Sequence, residues 1–467
     1  MLFNSLPFLL FFAVYFVLHR LFAGTAQRTV IAILGSAFFY AWWNPAFIWV
    51  PMLLILIAWV GCRAILAAVD PTRKKRALVV TVVVLLIPLV FFKYTNFIYA
   101  SVVGLVSPEA PRTLLNLPLP LGISFISFTL LAYVADLYTG KYRGTAGLSD
   151  LSVYTMFFPH SIAGPILRPG EFLPQVRRWG EARKVSLSLG SLLFAIGLLK
   201  KLAFADQLSI LVDRVYAGNA AAGGVDYLLA IYGFSLQIYC DFSGYSDMAI
   251  GLALILGIRF PRNFNAPYTS VSVVEFWRRW HITLSRWIRD YIYIPLGGNR
   301  GGSMRASRNI LITMGLAGLW HGASWTFVAW GLAHALAIMW SHYRARARGR
   351  VAESSIPAWI RTVVTFHFVT FAWILFRSRD LDTAIRVASG PFVASWGDTF
   401  AVLSDNLFGL TLILVFLATH RFDTLARARL LVLRLPAGVI WGITAFALML
   451  AVTVGTGSSS QFIYFEF

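Results

Sequence analysis

The sequence is poor in charged residues and cysteines, and it lacks the motifs of several common enzyme classes. Only 13% of its 467 residues are charged, whereas a soluble domain carries about a quarter. The two cysteines, Cys62 and Cys240, lie in apolar runs without metal or redox spacing. The chain has no nucleophile elbow, phosphate-binding loop, zinc-protease motif or dinucleotide fingerprint. These absences exclude a soluble enzyme or a disulfide scaffold, and they argue against hydrolases, nucleotide-driven pumps and zinc or dinucleotide enzymes.

What the sequence has instead is apolar length. Hydrophobic residues make up 58% of the chain, in continuous runs such as 77–92, and a helical crossing needs about 20 of them. Continuous runs predict helices rather than alternating barrel strands. The sequence therefore predicts an all-α polytopic membrane protein forming one domain, 1–467. Candidate spans are 2–18, 30–43, 46–69, 78–98, 117–137, 186–204, 226–240, 243–258, 323–341, 357–376, 399–419 and 437–455. Three further segments look irregular, re-entrant or interfacial: 151–167, 271–296 and 309–321.

The positive charge predicts orientation. The net charge of +20 lies in short runs between apolar segments, which indicates cytoplasmic loops and contact with anionic lipid rather than nucleic acid. By this rule 71–76, 344–350 and 420–434 are cytoplasmic. A second, less favoured interpretation is that some of these positive charges contact an anionic cytosolic donor. The N-terminal segment 2–18 is expected to be a retained span, and the chain end after residue 455 is expected on the external face.

His321 is the first candidate catalytic residue. It lies between apolar stretches 309–320 and 323–341, whose outer flanks are both basic. A hairpin of this kind places His321 deep in the membrane, where an ionisable group is usually functional. The alternative is a histidine that only hydrogen-bonds between helices. Acyl transfer to a hydroxyl needs a base, which imidazole supplies. Oxyanion donors are expected from the indoles of Trp320 and Trp325 or from amides near Gly322.

His281 is the second candidate. It lies in a segment whose aromatic and apolar residues recur at helical spacing, which predicts an amphipathic helix in the interface or lining a wet funnel. A catalytic or substrate-binding role and an incidental place in an interfacial anchor both remain open. Because the two histidines have no carboxylate or cysteine companions in the sequence, proton transfer suits them better than metal binding, and no metal is predicted.

Tyr464 is the third candidate, in the aromatic segment 461–467. A tyrosine there is either part of an aromatic belt at the membrane surface or an acyl relay. A phenol has a pKa of about 10, so its ester is more activated than a sugar ester.

Four blocks of the sequence resemble the membrane-bound O-acyltransferase (MBOAT) family, in its bacterial alginate O-acetyltransferase (AlgI-like) branch. That branch includes the D-alanyl transferase of teichoic-acid modification. The blocks span about residues 120–340 and are Phe157-Phe158-Pro159-His160 with Ala163-Gly164-Pro165-Ile166, 241–247, Arg279-Trp280-His281 with 289–293, and Trp320-His321-Gly322-Ala323-Ser324-Trp325. Residues 462–467 resemble the C-terminal motif of the small membrane protein that accompanies the D-alanyl transferase.

The resemblance implies about 11 transmembrane helices, with re-entrant and interfacial helices, around a central funnel that the donor enters from the cytoplasm. It assigns the family's invariant histidine to His321 and its second histidine to His281, and it favours Tyr464 as the acyl relay. The expected donor is acetyl-CoA or another acyl thioester, with no permanently bound cofactor. Expected partners are a periplasmic SGNH-type (Ser-His-Asp) acetyltransferase, polysaccharide synthesis and export machinery and membrane lipid, at the bacterial inner membrane.

Other functions fit the sequence less well. The acceptor of the acyl group is expected to be alginate, with peptidoglycan, cellulose or another exopolysaccharide as alternatives. A transporter or flippase of an acyl carrier or lipid-linked sugar is a different class, but the sequence lacks the paired broken helices common in transporters. A structural subunit of an export complex is a third reading.

Overall fold

The protein is helical wherever its structure is described. The computed structural model describes residues 1–107, 113–115, 118–144, 147–179, 186–218, 222–347, 356–397, 399–455 and 462–463, and these contain no strand. The α-helices are α1 Leu6–Leu21, α2 Thr25–Ala41, α3 Trp49–Ala67, α4 Pro71–Val106, α5 Ile123–Tyr138, α6 Leu148–Met156, α7 Phe158–Ser161, α8 Pro169–Val176, α9 Leu187–Leu199, α10 Asp206–Ala217, α11 Gly224–Ile255, α12 Val273–Arg279, α13 Ile282–Ile288, α14 Gly302–His321, α15 Trp325–Ala347, α16 Ala358–Arg377, α17 Leu381–Val393, α18 Thr399–Asp405, α19 Leu407–Thr419, α20 Leu425–Arg434 and α21 Ala437–Gly455.

Several of these helices are long and apolar enough to cross a membrane. In the described part of the chain, five segments meet that requirement: Pro45–Ala67, Pro71–Val106, Leu187–Ala217, Ala358–Arg377 and Ala437–Gly455. A sixth crossing is possible if Thr399–Asp405 and Leu407–Phe422, bent by 76° to each other, form one broken span. The prediction of an all-α, multi-pass membrane protein is confirmed, while the number of crossings stays a prediction.

The chain forms two compact units. One contains Met1–Ser191 and Met248–Pro261, and the other contains Leu192–Asp247 and Arg262–Phe467. Both predicted histidines fall in the second unit. In the first unit, the basic cluster 71–76 is not a loop, because Asp70 caps the start of α4 there by accepting a hydrogen bond from the Arg73 amide at 2.7 Å. Segment 151–167 is interrupted as expected, with α6 and the short α7 meeting at Phe157.

Helix α11 corrects one prediction. Two spans, 226–240 and 243–258, were expected, but one helix of 32 residues covers both. The polar motif 241–247 remains helical because its acids are paired: Lys201 contacts Asp241 at 2.8 Å, and Lys200 contacts Asp247 at 2.7 Å. Because each carboxylate is paired with a lysine, its burial costs less free energy, and the backbone can remain helical inside the protein.

Helices α14 and α15 form the predicted hairpin. The stretch 309–321, expected to be irregular, is instead the regular second half of α14. The two helices approach closely through glycines, since a Cβ on Gly318 would overlap the Phe327 carbonyl oxygen, and one on Gly331 would overlap that of Met314. Such contacts between small residues are typical of membrane helix pairs.

Replacing Gly318 by alanine should therefore destabilise the protein. The overlap with backbone is expected to lower the free energy of unfolding by about 1–3 kcal/mol, more than the helix-propensity gain of about 1 kcal/mol returns. Thermal unfolding in detergent measures the effect. The matched control is Gly315→Ala on the same helix, where an added Cβ has no neighbour within 4 Å. Equal melting temperatures for the two variants would contradict the close approach.

Candidate active site

His321 is the last residue of α14, in the turn of the hairpin. Its side chain is buried, and its ring centroid lies 4.8 Å from that of Trp320, 5.1 Å from that of Trp330 and 5.1 Å from that of Phe376. Gly322 ends the helix, and a Cβ at that position would overlap the ring of Phe327. The local sequence therefore holds His321 in an aromatic enclosure at a fixed place.

A cavity of about 190 Å³ adjoins His321. Five of its lining residues share one face of α14, and from the first of them, Ile310, to His321 the helix rises about 16 Å. The lining surface is mostly apolar, Asn299 and His342 add polar groups near the start of α14, and Arg289 adds a guanidinium group to the lining. The other lining residues are Trp277, Leu284, Ser285, Ile288, Tyr293, Thr313, Met314, Ala317 and Ile338. The cavity therefore leads from a polar end to the His321 ring, as a path for an elongated substrate requires.

His281 sits at a break between two short helices. Segment 271–296 is irregular, as expected, and its amphipathic helix is divided in two: α12 ends at Arg279, α13 begins at Ile282, and His281 adopts a left-handed backbone with φ 41°. A non-glycine residue in this conformation is uncommon and is often functional. His281 is fully buried, so the interfacial-anchor interpretation does not fit it.

The hydrogen bonds around His281 determine which ring nitrogen carries the proton. Asn263 Oδ1 accepts a hydrogen bond from the backbone amide of Thr283 at 3.3 Å, so this atom is the amide oxygen. The same oxygen lies 3.1 Å from His281 Nδ1. Nδ1 must therefore donate a proton, which leaves the lone pair on Nε2 in the neutral ring. Burial lowers the pKa of His281 to about 3, so the ring is neutral at pH 7 and suits hydrogen bonding better than proton abstraction.

Removing the Asn263 side chain should disturb this tautomer. Asn263→Ala is expected to lower the rate of the acyl transfer predicted from the sequence about tenfold, because a buried hydrogen bond that orients the His281 ring is lost. Asn263→Asp keeps an oxygen acceptor and should retain most of the activity. The measurement is the rate of acyl transfer by each variant, expressed per amount of folded protein. An alanine variant as active as the parent would mean that His281 needs no orienting partner.

The two histidines share a neighbour in Trp320. The Trp320 ring centroid lies 6.3 Å from that of His281, in addition to its contact with His321. Of the expected oxyanion donors, Trp320 alone is placed in this buried cluster. The side chain of Trp325 is 58% exposed, and the amide of Gly322 already donates to the Gly318 carbonyl at 3.3 Å.

Tyr464 lies outside the described residues, but the two residues before it are described. Phe462 is buried and stacks on Tyr245 with ring centroids 4.8 Å apart. The ring centroids of Phe462 and Phe242 lie 6.1 Å apart, and the ring centroids of Phe242 and His281 lie 4.6 Å apart. Phe462 therefore reaches the ring cluster around His281, a contact that the sequence alone did not reveal.

A comparison with known proteins identifies the family. The family model "MBOAT, membrane-bound O-acyltransferase family" matches residues 143–377, a segment that contains both histidines. The chain belongs to the MBOAT family. It is therefore a multi-pass membrane acyltransferase, and membership decides between this function and the transporter or structural alternatives.

Relatives in the MBOAT family come from several bacteria. The chain is 38% identical over 434 residues to a Pseudomonas aeruginosa protein named probable alginate O-acetylase AlgI, covering 90% of this chain and 81% of that protein. It is 33% identical to the peptidoglycan O-acetyltransferase of Helicobacter pylori, covering 80% and 76%. It is 28% identical to the teichoic acid D-alanyltransferase of Bacillus subtilis, covering 56% and 69%.

The site of this MBOAT protein also contains charges that were not predicted. Lys201 contacts both Asp206 and Asp241 at 2.8 Å, and all three residues are buried. Two lysines inside an apolar stretch, 192–205, were a readable signal, because ionisable residues in such segments are usually functional. Among the described residues, no group of three or more His, Cys, Asp or Glu side chains is placed to hold a metal ion.

Proposed function

We propose that this protein transfers an acetyl group from a cytosolic thioester to Tyr464, for O-acetylation of an exported polysaccharide. The cavity beside His321 is the observation that carries the proposal, because it joins a basic, polar end to the predicted base along one helix face. A thioester donor fits this arrangement: its elongated arm lies along α14 with the carbonyl at His321.

Acetyl-CoA is the proposed donor. Its phosphates are anionic, and the polar end of the cavity contains Arg289, with Arg300, Arg305 and Arg308 close by in the sequence. Arginine is well suited to phosphate recognition. No permanently bound cofactor takes part in the proposed reaction.

The first stage forms an acetyl-tyrosine. His321 takes the phenolic proton of Tyr464 while the phenol oxygen attacks the thioester carbonyl, and Trp320 is placed to donate to the developing oxyanion. A C–O bond forms, the C–S bond breaks, and the His321 imidazolium returns the proton to the leaving thiolate as CoA–SH. His281 assists by hydrogen bonding through Nε2.

The second stage takes place on a partner. We propose a periplasmic SGNH-type enzyme whose serine attacks the carbonyl carbon of the acetyl-tyrosine ester. The acetyl group moves to the serine oxygen, and the proton of the serine hydroxyl passes to the Tyr464 oxygen, which becomes a phenol again. A polysaccharide hydroxyl then takes the acetyl group from that serine. This scheme implies an inner-membrane protein with about 11 crossings, a cytoplasmic donor side and an external chain end, as the basic segments favour.

Alginate is the proposed polysaccharide, because the relatives named alginate O-acetylases are 36–39% identical to this chain. Peptidoglycan is the second candidate, favoured by the 33% identical relative named for that acceptor. The relay itself applies equally to both.

Incubation of the purified protein with isotope-labelled acetyl-CoA tests the first stage. Peptide mass spectrometry should find one labelled acetyl group on Tyr464, with release of an equal amount of CoA. Labelled acetyl that reaches an added partner or acceptor while Tyr464 stays unmodified would contradict the relay and indicate direct transfer through the cavity.

A further inference from the structure

Residues 462–463 are held by a buried carboxylate. The backbone amide of Ile463 donates a hydrogen bond to Asp241 Oδ2 at 2.7 Å, across 222 positions of sequence. Ile463 and Asp241 are both buried. A hydrogen bond to an ionised group in such surroundings is stronger than one between neutral groups.

Asp241 is itself held by a cation. Its Oδ1 lies 2.8 Å from Lys201 Nζ, which also contacts Asp206 Oδ1 at 2.8 Å. Lys201 belongs to the π-helical segment Lys200–Ala205, a widened turn of a kind that often marks functional sites. The carboxylate that receives the Ile463 amide therefore has a fixed position and charge.

The same contact surface leads to His281. Asp241 and Phe242 are neighbours on α11; Asp241 binds the Ile463 backbone, and Phe242 touches both Phe462 and His281. A change in the docking of 462–463 would therefore move the residue that precedes Tyr464 relative to His281.

We propose that Asp241, held by Lys201, is the positioning residue that fixes the C-terminal segment beside His281 for acetylation. Asp241 acts through the Ile463 amide and does not touch the reacting atoms. The consequence for acetylation rests on the proposed function, whereas the docking of 462–463 can be measured without it.

The chain offers a matched control in Asp247. This residue is on the same helix, pairs with the preceding lysine, Lys200, at 2.7 Å, and shares that lysine with Asp423 just as Asp241 shares Lys201 with Asp206. Among the described residues, the Asp247 carboxylate pairs with Lys200 and forms no hydrogen bond or ion pair with 462–463, so its replacement removes a buried-pair charge without touching those two residues.

The test compares two pairs of variants. Asp241→Asn removes the charge that accepts from Ile463, and Asp247→Asn is its control. Ile463→Pro removes the amide proton itself, and Ile463→Val keeps it. The proline lies in the terminal segment, so this variant does not depend on the folding of α11. Hydrogen exchange of the C-terminal peptide measures docking. The single-turnover rate constant of Tyr464 acetylation is measured as a function of acetyl-CoA concentration, which gives its maximal value and the half-saturating concentration.

Asp241→Asn should lose exchange protection at Ile463, and Ile463→Pro, which has no amide proton at that position, should lose it at the remaining amides of the C-terminal peptide. Both variants should lower the rate constant of Tyr464 acetylation at saturating acetyl-CoA about tenfold, with the half-saturating concentration of acetyl-CoA unchanged. Asp247→Asn and Ile463→Val should match the parent. The proposal is overturned if Asp241→Asn retains protection and rate, or if Asp247→Asn causes an equal loss. Loss of protection in both test variants, in a protein whose Tyr464 is never acetylated, would support the docking role and refute the relay.

Discussion

Replacing His321 by alanine should stop acetyl transfer from acetyl-CoA. The His321 ring lines the cavity and is the basic group next to the thioester carbonyl in the proposed reaction. Removal of a general base typically lowers a rate by about 10²–10⁴. Labelled acetyl on the protein or an added acceptor, measured against the amount of folded enzyme, gives the result.

The His321→Ala result needs two controls, because the ring also packs against Trp330 and Phe376. His321→Gln fills more of the space and should be equally inactive, since it has no basic nitrogen. His367→Ala removes an exposed histidine on α16 and should remain active. Stabilisation by acetyl-CoA in thermal unfolding should persist in both His321 variants. Transfer at the parent rate in His321→Gln would refute the assignment of the base.

Tyr464→Phe should abolish the acetylated form of the protein and the delivery of acetyl to a partner. The substitution removes only the hydroxyl that accepts the acetyl group, so loss of labelled adduct should be complete rather than partial. Intact-mass measurement after incubation with acetyl-CoA detects it. Binding of acetyl-CoA should be unchanged, because the substitution keeps the aromatic ring and removes only the attacking hydroxyl.

Tyr99→Phe on α4 is the control for Tyr464→Phe, since it removes a phenol hydroxyl outside the site. This variant should carry the parent's acetyl group. If Tyr464→Phe still supports acetylation of the polysaccharide when the partner is present, the relay is wrong and the acceptor hydroxyl itself must reach His321.

Local sequence predicted those features of the structure that neighbouring residues form among themselves. The Trp320–Trp325 motif predicted a hairpin turn with His321 at its end, because a polar, glycine-containing interruption between apolar stretches has few other solutions in a membrane. Segment 271–296 was expected to be irregular, but the position of its helix break at Trp280–His281 was not predicted. The spacing of aromatic residues there fits a continuous helix, and the hydrogen bonds of Asn263 that hold the break come from outside the segment.

Contacts between distant parts of the chain were beyond local patterns. A break between two spans was expected at 241–242, because the partners of Asp241 are distant in sequence: Lys201 lies 40 positions away and the amide of Ile463 lies 222 positions away. Local sequence does not show that both groups meet the Asp241 carboxylate within one unbroken helix. The resemblance to the MBOAT family identified the two histidines as candidate catalytic residues, but it assigned no role to Lys201, Asp206 and Asp241.

The π-helical turn at Lys200–Ala205 limits how the gene can change in length. Successive residues of a helix point about 100° apart, so Lys200 and Lys201 serve two different carboxylates of α11 from neighbouring positions. A widened turn contains one residue more than a regular one. Loss of a single codon in this turn would remove the extra residue and leave a regular turn, so the helical segments on either side could keep their register. Loss of a single codon from the regular helix on either side would instead turn the residues beyond the deletion by about 100° relative to the lysines.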